Sequence, residues 1–252
     1  MCGRFAQVFQ TQDLEQIERI MTQALGVDDS LIELWSNNFT PTHNACPTQY
    51  STILHQPSSG RIGATQAHFG LIPSWSKNRD RAGSMINARC ETLSAKPAFR
   101  DLYRSRRCLI PISGFYEWQK ISGTPTKQSA KQPWYIRRAD EHPMLVAGLW
   151  DTWLDPAHGH CEVDSFTIIT TSANEFIADK HHRMPVILEP ESISTWFDRT
   201  TEPRTLTTLL APSPEGILSA HRVSTRVNSP ANNSPSLIKP VITNPSLGTL
   251  WA

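Results

Sequence analysis

The spacing of apolar and polar positions changes period along the chain. In TQDLEQIERIMTQAL, beginning at Thr11, the residues Leu14, Ile17, Met21 and Leu25 recur at the spacing of one helix face, with acidic residues in the first turns. A helix is predicted there. From Tyr50 to about Ile169 the pattern becomes short β-type runs separated by turns rich in Gly, Pro and Asn. The runs are STILH, the stretch from Ala67 to Ile72, CLIPI, FYEW, PWYIRR, MLVAGLW and FTIIT. They predict an α+β fold whose core is a mainly antiparallel, barrel-like sheet with flanking helices. Two further helices are expected after Pro190, through SISTWF, and after Pro203, through TLTTLL. From Thr225 onward Pro, Asn and Ser dominate, which predicts an extended strand and then a mobile tail. Neither an internal repeat nor a linker divides the chain.

Composition narrows the setting. With 252 residues and 38% apolar content the chain can bury a real core. No run approaches the roughly 18 apolar residues of a membrane helix, and the N-terminus lacks the basic and apolar stretches of a leader. A soluble cytoplasmic protein is expected. Five cysteines (Cys2, Cys46, Cys90, Cys108 and Cys161) are widely spread without a C-x-x-C, which suits reduced thiols. The nearest approach to a metal motif is AHGHC, with His158, His160 and Cys161, and it reads as a loop. No metal and no cofactor are expected.

Charge adds an asymmetry to a chain of formal net charge +1. Between Lys77 and Arg107 nine basic residues stand against three acidic ones, a local +6 inside an otherwise slightly acidic protein. That points to an anionic partner, nucleic acid above all, against the plain alternative of a solvated helix face around FRDLYRSRR. Trp75 and Phe99 lie among these cations, as bases stacking on side chains would require.

The chain begins MCGRF, and a small second residue is the usual condition for removing an initiator methionine. The mature chain is then expected to start at Cys2. Its α-amine (ordinary pKa about 7.7 to 8.0) and its thiol (about 8.5) would share one residue as two nucleophiles. Many proteins merely tolerate such a start, so it needs support elsewhere. Four polar signatures lie inside or beside β-type segments: INARCET (Asn87, Arg89, Glu91), SGFYEW (Glu117, Trp118), IITTSAN (Thr170, Thr171, Asn174) and HHRMP (His181, His182, Arg183). Desolvation between Tyr116 and Trp118 would raise the Glu117 pKa and suit it to general acid or base work. Taken singly, Glu117 is equally an ordinary strand residue, and His181 and His182 are surface histidines before a turn.

Taken in order, MCGRF, NACPTQ (Asn44, Pro47, Gln49), GLIPSW, NARCET, SGFYEW, HHRMP and VSTRVN resemble the SRAP family of abasic-site processing proteins. The resemblance implies a single SRAP domain over residues 2–240 and a C-terminal tail over 241–252. It also implies chemistry. The Cys2 amine condenses with the open-chain aldehyde of an abasic site in single-stranded DNA, and the thiol closes on the imine carbon to give a five-membered thiazolidine that protects the lesion. An internal cysteine cannot do this, because its nitrogen is an amide. Ring closure is intramolecular, with an effective concentration reaching about 10⁵ M or more for aligned groups.

Residue by residue, the resemblance makes Glu117 the carboxylate that handles protons, His181 the histidine acid or base, and Asn87 the residue that holds the N-terminus or the sugar. Arg4, Arg89 and Arg183 would bind phosphates with Thr170 beside them, Trp75 would stack on a base, and Trp118 would pack behind Glu117. It further implies a lyase activity by β-elimination, peptidase-like autoprocessing before Cys2, a monomer, and residence on the nucleoid when bound to damaged DNA. Phe69, Ser76 and Cys90 depart from the commoner family pattern and bear on the stacking surface. The competing readings are a cysteine peptidase or N-terminal nucleophile hydrolase, with His181 as base, and a noncatalytic single-strand binding module.

Overall fold

The computed structural model describes residues 2–27, 39–57, 60–121 and 131–241. The helical period at the N-terminus becomes α1 (Thr11–Leu25). Gln10 donates its backbone N–H to the Asp13 carboxylate at 2.8 Å, and Gly26, at φ 63°, closes the last turn on the Thr22 carbonyl at 2.8 Å. Its apolar face buries Ile17 and Met21, with Leu14 and Leu25 half-buried against the same core.

The strands in the first half are β1 (Phe5–Gln7), β2 (Thr42–Ala45), β3 (Tyr50–His55), β4 (Gly63–Phe69), β5 (Asn87–Arg89), β6 (Arg107–Ile112) and β7 (Gly114–Lys120). Those in the second are β8 (Lys131–Arg138), β9 (Met144–Asp155), β10 (Cys161–Ser172), β11 (Arg183–Pro185), β12 (Ile187–Leu188) and β13 (Leu218–Arg222). Between and after them come α2 (Pro97–Ser105), α3 (Glu175–Ala178), α4 (Ile193–Phe197) and α5 (Pro203–Thr208).

Five strands close into a ring. β4, β3, β6, β9 and β10 pair antiparallel in that order, and β10 returns to β4 in parallel register, Phe166 beside Phe69. Closure removes two sheet edges that would otherwise be open to other chains. β5 adds to β10 in parallel, while β11 and β12 extend β10 and β9 antiparallel. A second, antiparallel sheet runs β13–β8–β7–β1–β2.

β6 and the first half of β9 are buried on both faces, which is why they read as unbroken apolar runs rather than as alternation. Cys108, Ile110 and Ile112 of β6 face one cluster with Phe5, Phe69 and Phe166, while Leu109 faces another with Leu54, Leu149 and the helical residues Met21 and Trp196. Burial of each such side chain contributes about 1.5 to 3 kcal/mol. Gly148 is required by closeness: a Cβ there would meet Ile110 Cδ1 at 2.4 Å and the Thr167 carbonyl at 2.8 Å.

Two expectations change. Strand β4 ends at Phe69, so Leu71 and Ile72 lie in the following loop, where Ile72 N–H is satisfied by Ser165 Oγ at 2.9 Å instead of by a ladder. The stretch after Thr225 is not a strand: Thr225–Asn228 and Pro235–Ile238 form 3-10 turns, the first opened by Ser224 accepting from Arg226 N–H. The last strand among the described residues is β13, upstream of it. Of the tail predicted over 241–252, Val241 donates its N–H to the Arg222 carbonyl at 2.9 Å, and the rest lies outside the described residues.

The basic run is also less uniform than its charge suggests. Arg107 is 4% exposed and gives its guanidinium to the carbonyls of Tyr103, Arg104, Trp196 and Asp198, fastening the end of α2 to the end of α4. Arg79 pairs with Asp155 and Arg100 with Asp101.

Candidate active site

The chain reaches the site by sheet pairing. Phe5 of β1 lies opposite Phe115 of β7, and Tyr116 N–H donates to the Arg4 carbonyl at 2.9 Å, so residues 2–4 run on beside the SGFYEW strand. Gly114 opens that strand because a Cβ would fall 2.2 Å from the Tyr135 ring. Cys2 ends up fully buried. Its carbonyl accepts a 2.9 Å hydrogen bond from Asn87 Nδ2, and Asn87 stands at the start of β5, held by β10 through the pairing of Asn87 with Ile168. The Asn87 Oδ1 is buried without a hydrogen-bond partner among the described residues, which leaves one acceptor beside Cys2.

Electrostatics in this cluster run against ordinary values. Burial pushes the Cys2 thiol far up, and the Glu117 charge pushes it further. Glu117, 2% exposed, is raised from 4.5 to about 7 by burial. His181 is lowered to about 4, by burial first and then by the amino-terminal charge, with His182 and Arg183 adding to it. The carboxyl therefore holds a proton up to neutrality while the imidazole stays neutral. His181 Nδ1 accepts from Arg183 N–H at 3.0 Å, and its ring stacks on His182 at 4.3 Å.

Arg183 is 8% exposed, with both oxygens of Glu91 and the Thr170 carbonyl on its guanidinium and Nε buried without a hydrogen-bond partner among the described residues. That pairing holds the Glu91 carboxyl down to about 2. Register explains the meeting: Arg89 of β5 pairs with Thr170 of β10, and Ser172 of β10 with Arg183 of β11. Thr170 itself is 1% exposed. Arg4 is engaged in the same way. It donates to Asn44 Oδ1 at 2.9 Å and to the carbonyls of Val227 and Asn228, and lies 5.9 Å over the Trp118 ring, whose Nε1 donates to Asn228 Oδ1 at 2.7 Å. Four separate sequence motifs meet in that one network.

Cys2, Asn87 and Glu117 are thus brought together, with His181 within electrostatic reach. Arg89 is exposed beside them. Trp75, 69% exposed, stands on the loop after β4, anchored by Ser74 N–H to Asp151 Oδ2 at 2.7 Å and by Trp153 Nε1 to the Ser76 carbonyl at 2.6 Å. Two organising residues had no role assigned from sequence, Glu91 and Asn44. Both lie inside the quoted motifs, but their partners are far away in the chain.

The family model described as SOS response associated peptidase (SRAP) matches residues 1–230. The chain belongs to the SRAP family. Among SRAP relatives, the Bacillus subtilis protein named abasic site processing protein YoqW is 37% identical over 241 residues, covering 95% of this chain and 99% of that protein. The Pongo abelii abasic site processing protein HMCES is 31% identical, covering 81% of this chain and 66% of its own length. A crystal structure of a Bacteroides thetaiotaomicron protein superposes with a TM-score of 0.75 at 25% identity, over 96% of this SRAP chain and all of the other.

Proposed function

We propose that this protein processes abasic sites in single-stranded DNA by forming a covalent thiazolidine through Cys2 after loss of Met1. The observation that carries the reading is the placement of Cys2, buried with Asn87 on its carbonyl and Glu117 near enough to act on its thiol. Nothing in such a pocket is needed for a structural cysteine.

In this reading Glu117, protonated near neutrality, gives its proton to the ring oxygen as the sugar opens, takes up the proton of the anomeric hydroxyl, and gives that one to the departing hydroxyl as amine and aldehyde lose water. The resulting imine carbon is attacked by sulfur, and the thiol proton moves to nitrogen. The net change is loss of one water. The raised thiol pKa fits this order, since the sulfur stays protonated until it is used. Neutral His181 is the acceptor for the amine proton. Asn87 Oδ1 takes the freed N-terminus as its missing partner. Arg89 and Trp75 meet the strand, Arg4 and Arg183 position the site from inside, and Trp118 holds Arg4 behind Glu117. The imine also opens a β-elimination route, hence lyase activity, and release of Met1 can be self-catalysed. Single strands are preferred because the sugar must enter a pocket that a duplex would bury.

The test is a denaturing gel after incubation with an abasic single-stranded oligonucleotide. Wild type forms a heat-stable adduct, and Cys2→Ser keeps salt-sensitive binding without it. An adduct that survives Cys2→Ser excludes the thiazolidine.

A further inference from the structure

The basic run Lys77–Arg107 includes α2 (Pro97–Ser105). There Arg100 and Arg104, with Arg199 from the segment between α4 and α5, line a cavity of about 350 Å³ whose wall also includes Tyr103, Thr201 and Leu206. That volume is within the range of small-ligand sites, roughly 300 to 1,000 Å³. Glu202 is the single carboxylate on its lining, so the wall carries an excess of positive charge.

The three guanidiniums are not equivalent. Arg100 pairs with Asp101 through Nε at 3.0 Å, and Arg199 Nη2 donates to the carbonyls of Gln56 and Pro57 at 2.9 and 3.2 Å. Arg104 is exposed, and its side chain makes no hydrogen bond or ion pair with a described residue. Beneath them the cavity is apolar, with Leu206 buried. The Tyr103 hydroxyl is buried beside Thr207, so the ring and not the hydroxyl belongs to the wall. A bare inorganic anion would use the cations and leave the apolar part empty. A ligand with a charged head and a flat body uses both.

We propose that this cavity binds a nucleotide, with the phosphate on Arg104 and Arg199 and the base over the apolar wall formed by Tyr103, Pro203 and Leu206. Resting on the function proposed above, the nucleotide is one of the bound single strand, outside the lesion. The turn that carries Ser94 into the cavity wall follows Glu91, the residue that clamps Arg183, so one short segment joins the two sites.

Calorimetric titration of the full chain with dAMP, with inorganic phosphate, and with undamaged oligothymidylates of about six and about twenty nucleotides tests it. Expected are tighter binding of dAMP than of phosphate, and a loss of about tenfold in Arg104→Glu for dAMP and for the longer strand, with the shorter strand unaffected. None of these probes carries an abasic site, so failure of Cys2 chemistry would leave them readable. An unchanged Cys2 adduct on a short abasic strand in Arg104→Glu shows that the first site is intact. Binding of dAMP lost with the longer strand unchanged keeps the nucleotide site and rejects the strand as its source. Phosphate binding as tight as dAMP rejects the base, and titrations indifferent to Arg104→Glu overturn the proposal.

Discussion

Arg183 and Arg89 flank the same strand, β10, yet their charges do different things. Arg183 is buried, with its terminal nitrogens on Glu91 and the Thr170 carbonyl; Arg89, paired with Thr170 in the neighbouring strand, is exposed. Arg4 and Arg107 follow Arg183, and Arg104 follows Arg89. A guanidinium that already donates to carbonyls and a carboxylate has few edges left for a phosphate, so its effect is to hold loops in place. An exposed one has its donors facing water, where a phosphate can displace it. Charge alone does not separate these groups; burial does.

The largest effect expected from this contrast is in Arg183→Ala. Removing it leaves Glu91 and the Thr170 carbonyl without their donor and frees the HHRMP segment, at a cost of about 3 kcal/mol. Urea denaturation measures it, and wild-type stability in that variant would erase the distinction between the two arginines.

Next is Glu117→Gln. The Glu117 pKa is raised from 4.5 to about 7, so the residue favours the folded state below pH 4.5 and this advantage is lost as pH rises through 7. Replacing it by glutamine should stabilise the protein at pH 8 by about 2 to 3 kcal/mol and leave it unchanged near pH 4. The same substitution should abolish the limb near pH 7 in the rate of adduct formation. A stability difference independent of pH would show that folding leaves the Glu117 pKa unshifted.

The smallest effect is in Arg89→Ala. Its melting temperature should match wild type, while single-strand affinity falls about fivefold and the salt dependence of binding drops by about one phosphate contact. Filter binding at several salt concentrations checks both.

Much of this architecture is visible in the order of residues. β6 and the first half of β9 announce themselves as apolar runs because both faces are covered, and α1 announces itself because only one face is. The candidate site was visible only through motifs: periodicity says nothing of Cys2, and Glu117 looks like any strand carboxylate until Tyr116 and Trp118 are seen to bury it. What could not be read depends on long-range contact. Glu91 meets Arg183 and Asn44 meets Val227 only because β5, β10 and β11, or β1, β2 and the late 3-10 turn, become neighbours. The parallel return of β10 to β4 likewise joins segments about a hundred residues apart. The segment after Thr225 misled for a local reason, since a Ser-capped 3-10 turn and an extended strand share the same Pro, Ser and Asn content.

The central claim is that a freed Cys2 reacts with an abasic sugar. Intact mass spectrometry of the purified protein, before and after incubation with a single-stranded oligonucleotide bearing one abasic site, tests it most directly. The expected result is a starting mass without Met1, then a gain equal to the oligonucleotide less one water that persists after denaturation. A chain that retains Met1, or one that loses it and gains no DNA, would contradict it.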